Sequence, residues 1–323
     1  MITLLSDFGS QDAYVGVMKG VMAAITPHVA MCDLTHEIAP QDILAARFNL
    51  KTAYPYFPDK TVHLVVVDPG VGTTRRAVAV RCVNAALCCF LVGPDNGVLS
   101  GVIEDFMGAA GVPVVGSSAV GAGEVSVVEL TNSRYWRAGL ADGAPSATFH
   151  GRDIFAPVAA HLANGVALEA LGDRVDPQTL VKADIPPFYL RGHASPSEQI
   201  AVQNMNVQDG ARGAGSDTEC LSSEGSMIGV GCIQYVDRFG NLISNIPGTS
   251  VADTMWKILL ETPLEPRLLP CIKTYGDVPM GRLAALVGSH GWIEVVCNGG
   301  SAAAALFAQG GAPVGMSITV TVA

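Results

Sequence analysis

The sequence predicts an α/β protein: an amino-terminal, mainly parallel α/β sandwich domain followed by a smaller carboxy-terminal all-β domain. Two patterns carry that expectation. In the first half, aliphatic runs such as Val65-Val66-Val67 alternate with segments of helical apolar spacing, which implies right-handed crossovers and a parallel sheet. From Ile228 onward short strands and tight turns follow one another with few helices, the pattern of a barrel or sandwich. Between them, Leu171 to Pro187, with Asp184-Ile185-Pro186-Pro187, reads as a segment crossing out of the first domain, so the division falls at 1–185 and 186–323.

Composition narrows the function classes. Of the 323 residues 49% are hydrophobic and only 15% charged, which suits a sheet-rich enzyme and not a disordered chain. A net charge of −10 without clustered Lys or Arg excludes nucleic acid as a partner and leaves a small molecule as the expected one. The first residues, Met1-Ile2-Thr3-Leu4-Leu5-Ser6-Asp7, lack a basic region followed by a long apolar run, and no stretch approaches the roughly 18 apolar residues of a membrane span. A cytoplasmic protein without a membrane partner is expected. The eight cysteines form no C-x-x-C pair and fall mostly in strand-like runs, so they read as reduced core thiols.

The elements follow in order. Residues 2–6 form a strand that ends at Asp7, and Asp12 is placed to cap a helix from near Tyr14 to about Ile25. A strand near Val29–Leu34 leads to His36, a loop histidine, and to Asp42, the expected N-cap of a helix over 43–53. The strand through Val67 stops at Asp68, followed by Pro69-Gly70-Val71-Gly72 and the pair Arg75-Arg76. Ala77–Cys82 and Cys88–Val92 are strands, the second closing in Gly93-Pro94-Asp95-Asn96-Gly97. Residues 107–124 and 203–227 are Gly- and Ser-rich without periodicity and read as insertions. After the strand Val125–Leu130, Asp153 is placed to cap a helix through about Leu162, with His150 just outside its amino end, where the helix dipole favours a neutral ring. Ile228–Val236, Trp256–Leu260, Leu283–Val287, Trp292–Val296 and Ser317–Val322 are the strands of the second domain, with one short helix at Ser301–Phe307.

Asp7, Asp68 and Asp95-Asn96 thus stand at the carboxyl ends of neighbouring strands, the edge where open α/β sheets bind ligands. Two chemistries fit that rim. Asp7, Asp12, His36, His63, Asp68, Asp95 and His150 are residue types that could hold two metal ions for phosphoester hydrolysis, although no His-x-His or Asp-x-His spacing occurs. Alternatively, Asp68, Arg75 and His150 hold a water without a metal: a carboxylate and a neutral imidazole accept its protons, and the guanidinium favours the hydroxide. Spacing does not choose between them.

Five motifs in one order resemble a known family: Ser6-Asp7-Phe8-Gly9, Asp68 to Arg76, Gly93-Pro94-Asp95-Asn96-Gly97, Phe149-His150-Gly151-Arg152-Asp153 and Asp237-Arg238-Phe239-Gly240-Asn241. Together they resemble the S-adenosyl-L-methionine hydroxide adenosyltransferases, relatives of fluorinase and chlorinase. The resemblance implies an α/β domain joined to a β-barrel, a homotrimer with active sites between subunits, and attack of water on C5′ of S-adenosyl-L-methionine to give adenosine and L-methionine. It implies no cofactor and no metal, S-adenosyl-L-methionine being the substrate. It further implies that Asp68, Arg75 and His150 activate the water and that Asp7 binds the ribose hydroxyls. Asp237 and Asp12 are implied at the methionine end, Asn241 and Tyr275 at the adenine with Phe239 lining the base, Ser289 at the methionine carboxylate, and Asn96 among the substrate contacts. Around Ser289 the sequence departs from the family pattern with Gly288 and His290. Halide chemistry is disfavoured, since the fluorinase's long extra loop is missing between Cys82 and Leu91 and the halogenases lack the Asp, Arg and His trio.

Overall fold

A computed structural model describes residues 1–108, 123–137, 144–192, 227–251, 256–260, 267–307 and 314–322. The chain forms two units, Met1–Asp184 and Ile185–Ala323.

In the first unit, β1 (Ile2–Ser6), β2 (Met31–Thr35), β3 (Thr61–Val66), β4 (Ala77–Val83), β5 (Cys88–Pro94), β6 (Glu124–Glu129) and β7 (Asp173–Val175) make one sheet in the order β2-β1-β3-β5-β4-β6-β7. The half β2-β1-β3-β5 is parallel, and β5-β4-β6-β7 is antiparallel. Chain length between strands decides which. Helices α1 (Tyr14–Ile25) and α2 (Ile43–Ala53) give the chain the length to cross over and start each next strand in the same direction. Between β4 and β5 only residues 84–87 intervene, where Asn84 Oδ1 accepts from the backbone N–H of Ala86 and Leu87, so that pair must be antiparallel.

Alternation along β3 builds both layers of core. Val62, Leu64 and Val66 pack with Met18 and Met22 of α1 and with the apolar side of α4 (Ala156–Ala163). Val65 and Val67 face the opposite side, with Ala46 and Leu50 of α2 and Val102, Ile103 and Phe106 of α3 (Ser100–Met107). Buried charges tie α2 to α3: Arg47 donates to Ser100 Oγ and to Glu104, while Lys51 donates to Gly101 O and Asp105.

The second unit holds β8 (Tyr189–Gly192), β9 (Met227–Val236), β10 (Leu242–Pro247), β11 (Trp256–Leu260), β12 (Arg267–Pro270), β13 (Leu283–Val287), β14 (Trp292–Cys297), β15 (Ser317–Val322) and α5 (Ala302–Leu306). Its strands run β12-β11-β15-β9-β10-β14-β13, every pair antiparallel, with β8 added to β9. The sheet curls until its ends nearly meet, since Ile272, just past β12, donates to Ala285 O of β13 at 2.8 Å. Ile233, Leu242, Ile258, Ile293, Val295, Ile318 and Val320 fill the interior of this barrel-like sheet.

Several local expectations change. Asp12 does not cap α1, whose N-cap is Ala13 without any side-chain bond, whereas Asp42 does cap α2 by accepting from Ala45 N–H at 2.9 Å. Asp153 is not an N-cap, because residues 151–155 form a π-helical turn running directly into α4. The helix α3 escapes a periodicity reading because it is short, begins Ser-Gly, and lacks a side-chain cap. The insertion readings at 107–124 and 203–227 fall largely on residues outside those described. Among the described residues no helix is long and apolar enough to cross a membrane.

Candidate active site

Because β1, β3 and β5 are parallel, their carboxyl ends share one edge, and Asp7, Asp68 and Asp95 all emerge there. A cavity of about 300 Å³ opens on this edge, lined by Asp7, Phe8, Gln41, Asp68, Phe149 and His150 among others.

Asp68, Arg75 and His150 meet at the cavity. The chain leaves β3, turns through Gly70 and Gly72, and returns Arg75 over Asp68. Arg75 Nε donates to Asp68 Oδ1 at 2.8 Å, and its Nη2 donates to Asp68 Oδ2, a two-point ion pair that leaves both side chains at least 90% buried. Nη2 also reaches His150 Nδ1 at 2.9 Å, and the guanidinium lies 5.1 Å from the centre of the Phe155 ring. A guanidinium only donates, so Nδ1 carries the lone pair and the neutral ring bears its proton on Nε2. Burial, followed by the Arg75 charge, pushes the His150 pKa below its ordinary value, while Asp68 and Asp153 pull it up. The ring is therefore neutral at pH 7, as expected, with desolvation and the Arg75 charge as causes. The tautomer also alters the chemistry foreseen for the imidazole: with Nδ1 occupied, His150 offers a donor at Nε2, and proton acceptance falls to Asp68.

The two loops of the site touch at Gly72. Its φ is +76°, and a Cβ there would sit 2.3 Å from Ala147 O, so only glycine lets the turn after β3 pack against the segment carrying His150. Asp7 accepts from Gln41 N–H at 2.8 Å, drawing the loop before α2 to the rim. Phe8, Tyr14 and Phe149 meet edge to face or tilted, with centroids 5.2–5.7 Å apart, giving the rim an aromatic wall. Sequence reasoning quoted Phe8 and Phe149 inside motifs without assigning them, and Gln41 acts through its backbone, which no side-chain pattern reveals.

The remaining rim candidates go elsewhere. Asn96 donates to Val67 O and accepts from Val98 N–H, so its amide holds the ends of β3 and β5 and does not line the cavity. Asp95 pairs with Arg76 and accepts from Val181 N–H. His63 lies within the sheet, fully buried against Thr3 Oγ1, and His36 bridges Ser6 Oγ and Asp33. Asp12 is exposed in the turn before α1. The set considered for two metals therefore does not converge, and among the described residues no three His, Cys, Asp or Glu side chains are grouped to hold an ion.

In the second unit Asp237 accepts from the backbone N–H of Phe239 and Asn241 and from Asn241 Nδ2, forming a tight turn between β9 and β10. Phe239 is held outward, 76% exposed, and Asn241 Nδ2 lies 3.5 Å from the Tyr275 hydroxyl. Ser289 is exposed in the turn from β13 to β14. Behind it Glu294 is buried against Gly288, where a Cβ would overlap its carboxyl, and lies 3.3 Å from His290 Nδ1. Burial, then the Asp237 charge, raises Glu294 to about 7. The charges of Glu294 and Asp237 add to burial in raising Tyr275.

Residues 2–172 match the SAM hydroxide adenosyltransferase N-terminal domain and residues 231–315 its C-terminal domain. The chain belongs to the SAM hydroxide adenosyltransferase family. Its curated relatives include the (R)-S-adenosyl-L-methionine hydrolase of Thermus thermophilus, 35% identical over 97% of this chain and 98% of that one. The hydrolase of the same name from Salinispora tropica is also 35% identical, over 94% and 92% of the two chains. More distant is a fluorinase from Actinoplanes sp., 25% identical over 99% and 97%. Among solved structures, an uncharacterized conserved protein of Thermotoga maritima superposes with a TM-score of 0.72 at 30% identity, covering 99% of both chains. The N-terminal match contains all of Asp7, Asp68, Arg75 and His150, and the C-terminal match contains Asp237, Asn241, Tyr275 and Ser289.

Proposed function

We propose that this chain hydrolyses S-adenosyl-L-methionine at C5′, releasing adenosine and L-methionine, with Asp68, Arg75 and His150 as the catalytic residues and no metal. The observation that carries this reading is the continuous bond from Asp68 through Arg75 to His150 on the wall of a cavity of about 300 Å³.

The sulfonium departs as a neutral thioether, so the leaving group needs no acid. What the reaction lacks in water is a nucleophile held in line behind C5′. His150 Nε2–H and a free lone pair of Asp68 grip one water from two sides, and Asp68 takes its proton as the O–C5′ bond forms and the C5′–S bond breaks. Arg75 orients the Asp68 carboxylate toward the water through its two hydrogen bonds. Positioning and proton transfer of this kind contribute roughly 10²- to 10⁴-fold.

Toward the substrate, Asp7 takes the ribose hydroxyls and Asp12 the methionine end. Asp237 pairs with the α-ammonium, Asn241 and Tyr275 with the adenine edge and face, Phe239 lines the base and Ser289 takes the carboxylate. Asn96 acts by fixing the loop that follows Asp68's strand. The working assembly is a homotrimer with active sites at subunit interfaces, in the cytoplasm.

The test is incubation of purified protein with S-adenosyl-L-methionine in EDTA, with and without chloride, followed by chromatography. Adenosine under all conditions is the expected result. Activity that appears only when a metal is restored would favour a metal-dependent hydrolase, and 5′-chloro-5′-deoxyadenosine in chloride would mark a halogenase.

A further inference from the structure

Asp153 is a buried carboxylate close to the candidate centre that the reaction above does not use. Its side chain is fully buried, yet it collects four donors: Arg137 Nε at 2.6 Å and Arg152 Nε at 2.7 Å on Oδ1, Arg152 Nη2 at 2.8 Å and Ser146 N–H at 2.9 Å on Oδ2. A fifth bond, Arg137 N–H to Asp153 O at 2.9 Å, fixes the backbone of the same residue. Burial alone would raise this carboxyl, but the bonds from Arg152, Ser146 and Arg137 outweigh it and hold the group ionised, far below the usual carboxylate range.

The donors bracket one short segment. Ser146 lies at the start of the stretch that presents Ala147, Thr148, Phe149 and His150, and Asp153 lies at its end, so the carboxylate ties the two ends together. Arg152, held by Asp153, rests 5.2 Å from the centre of the Phe149 ring, the same ring that lines the cavity. The charged and titratable groups around His150 are Arg75 and Asp68 on the loop after β3, Asp153 on its own turn, and Asp7 across the cavity.

We propose that Asp153 is a positioning residue for the reaction: clasped by Arg137 and Arg152, it holds the 146–150 segment so that His150 meets Arg75 and Phe149 closes the cavity wall. The proposal rests on the hydrolase reading for its kinetic consequence, but its geometric content stands apart from it. Asn at this position keeps the shape and turns one acceptor oxygen into an amide that faces arginine N–H groups, so the clasp loosens.

The test is Asp153→Asn in the full-length protein, read by steady-state kinetics and by NMR titration of the His150 ring. The clasp predicts a kcat lowered roughly 10- to 100-fold, the scale of a misplaced catalytic group. It predicts KM within about threefold of wild type, as expected when only transition-state interactions are lost. The His150 titration should move to higher pH, because a ring that no longer meets Arg75 loses a depressing charge that outweighs the upward pull of Asp153. A purely structural role would lower the amount of folded protein, leave kcat per folded molecule unchanged and move the His150 titration only to lower pH through loss of the Asp153 charge, and that result would overturn the proposal. If Asp153→Asn does not fold, Arg137→Gln, which leaves the carboxylate in place, decides: a several-fold lower kcat at unchanged KM supports the clasp, and wild-type kcat refutes it. Should the wild-type protein make no adenosine, the hydrolase reading fails, and the NMR titration of the two proteins still decides the role of Asp153.

Discussion

Arg75 reaches both Asp68 oxygens and His150 Nδ1 at once, and no other side chain could make all three bonds. Lysine restores the charge but not the planar fork. Arg75→Lys is therefore expected to lower kcat/KM by about 10²-fold or more, and a value within twofold of wild type would contradict the assignment. The same bond sets the pH dependence. A protonated His150 has no lone pair for Arg75 and stands beside a second cation, so activity requires the neutral ring. Burial and Arg75 depress its pKa, so kcat/KM should fall on the acid side with an apparent pKa below 6.5, and His150→Gln should abolish that limb. A plateau persisting well below the histidine range in wild type, or a limb surviving in the variant, would show that another group titrates.

Individual elements make further demands. Gly72 is the contact between the turn after β3 and the segment carrying His150, and Gly72→Ala places a methyl against Ala147 O on a left-handed backbone. The strained conformation should cost about 1–3 kcal/mol in urea unfolding, with activity lost beyond what unfolding explains because the loops no longer meet. Within β3, His63 is buried with its pKa pushed down to about 4 by desolvation, against 6.5 in the unfolded chain. The unfolded state thus binds the proton first: stability is complete above pH 6.5 and declines as pH falls toward 4, by on the order of 3 kcal/mol. His63→Gln, which can still accept from Thr3, should flatten much of that decline between pH 7 and 4.5, and an unchanged slope would assign it to other groups.

Across the whole molecule, much of the architecture was legible because it rests on patterns the chain cannot hide. Buried runs such as Val62–Val67 must be covered on both faces, and five of the barrel strands show as apolar-rich runs bounded by tight turns. The short strands at Arg267–Pro270 and Asp173–Val175 do not, because three or four residues are too few to stand out. At the site, acidic residues closing β1 and β3 could be read as a rim, since parallel topology fixes which ends share an edge. The tautomer of His150, the Asn96 bonds to the backbone and the Asp153 clasp could not, for each depends on which way a side chain turns after folding.

The central claim, that a water gripped by Asp68 and His150 attacks C5′, is tested most directly by turnover in H₂¹⁸O with mass analysis of the nucleoside. The structure predicts adenosine carrying one ¹⁸O at its 5′ oxygen and unlabelled methionine, in EDTA as in buffer. Adenosine without the label, or a 5′-halogenated nucleoside in place of adenosine, would contradict it.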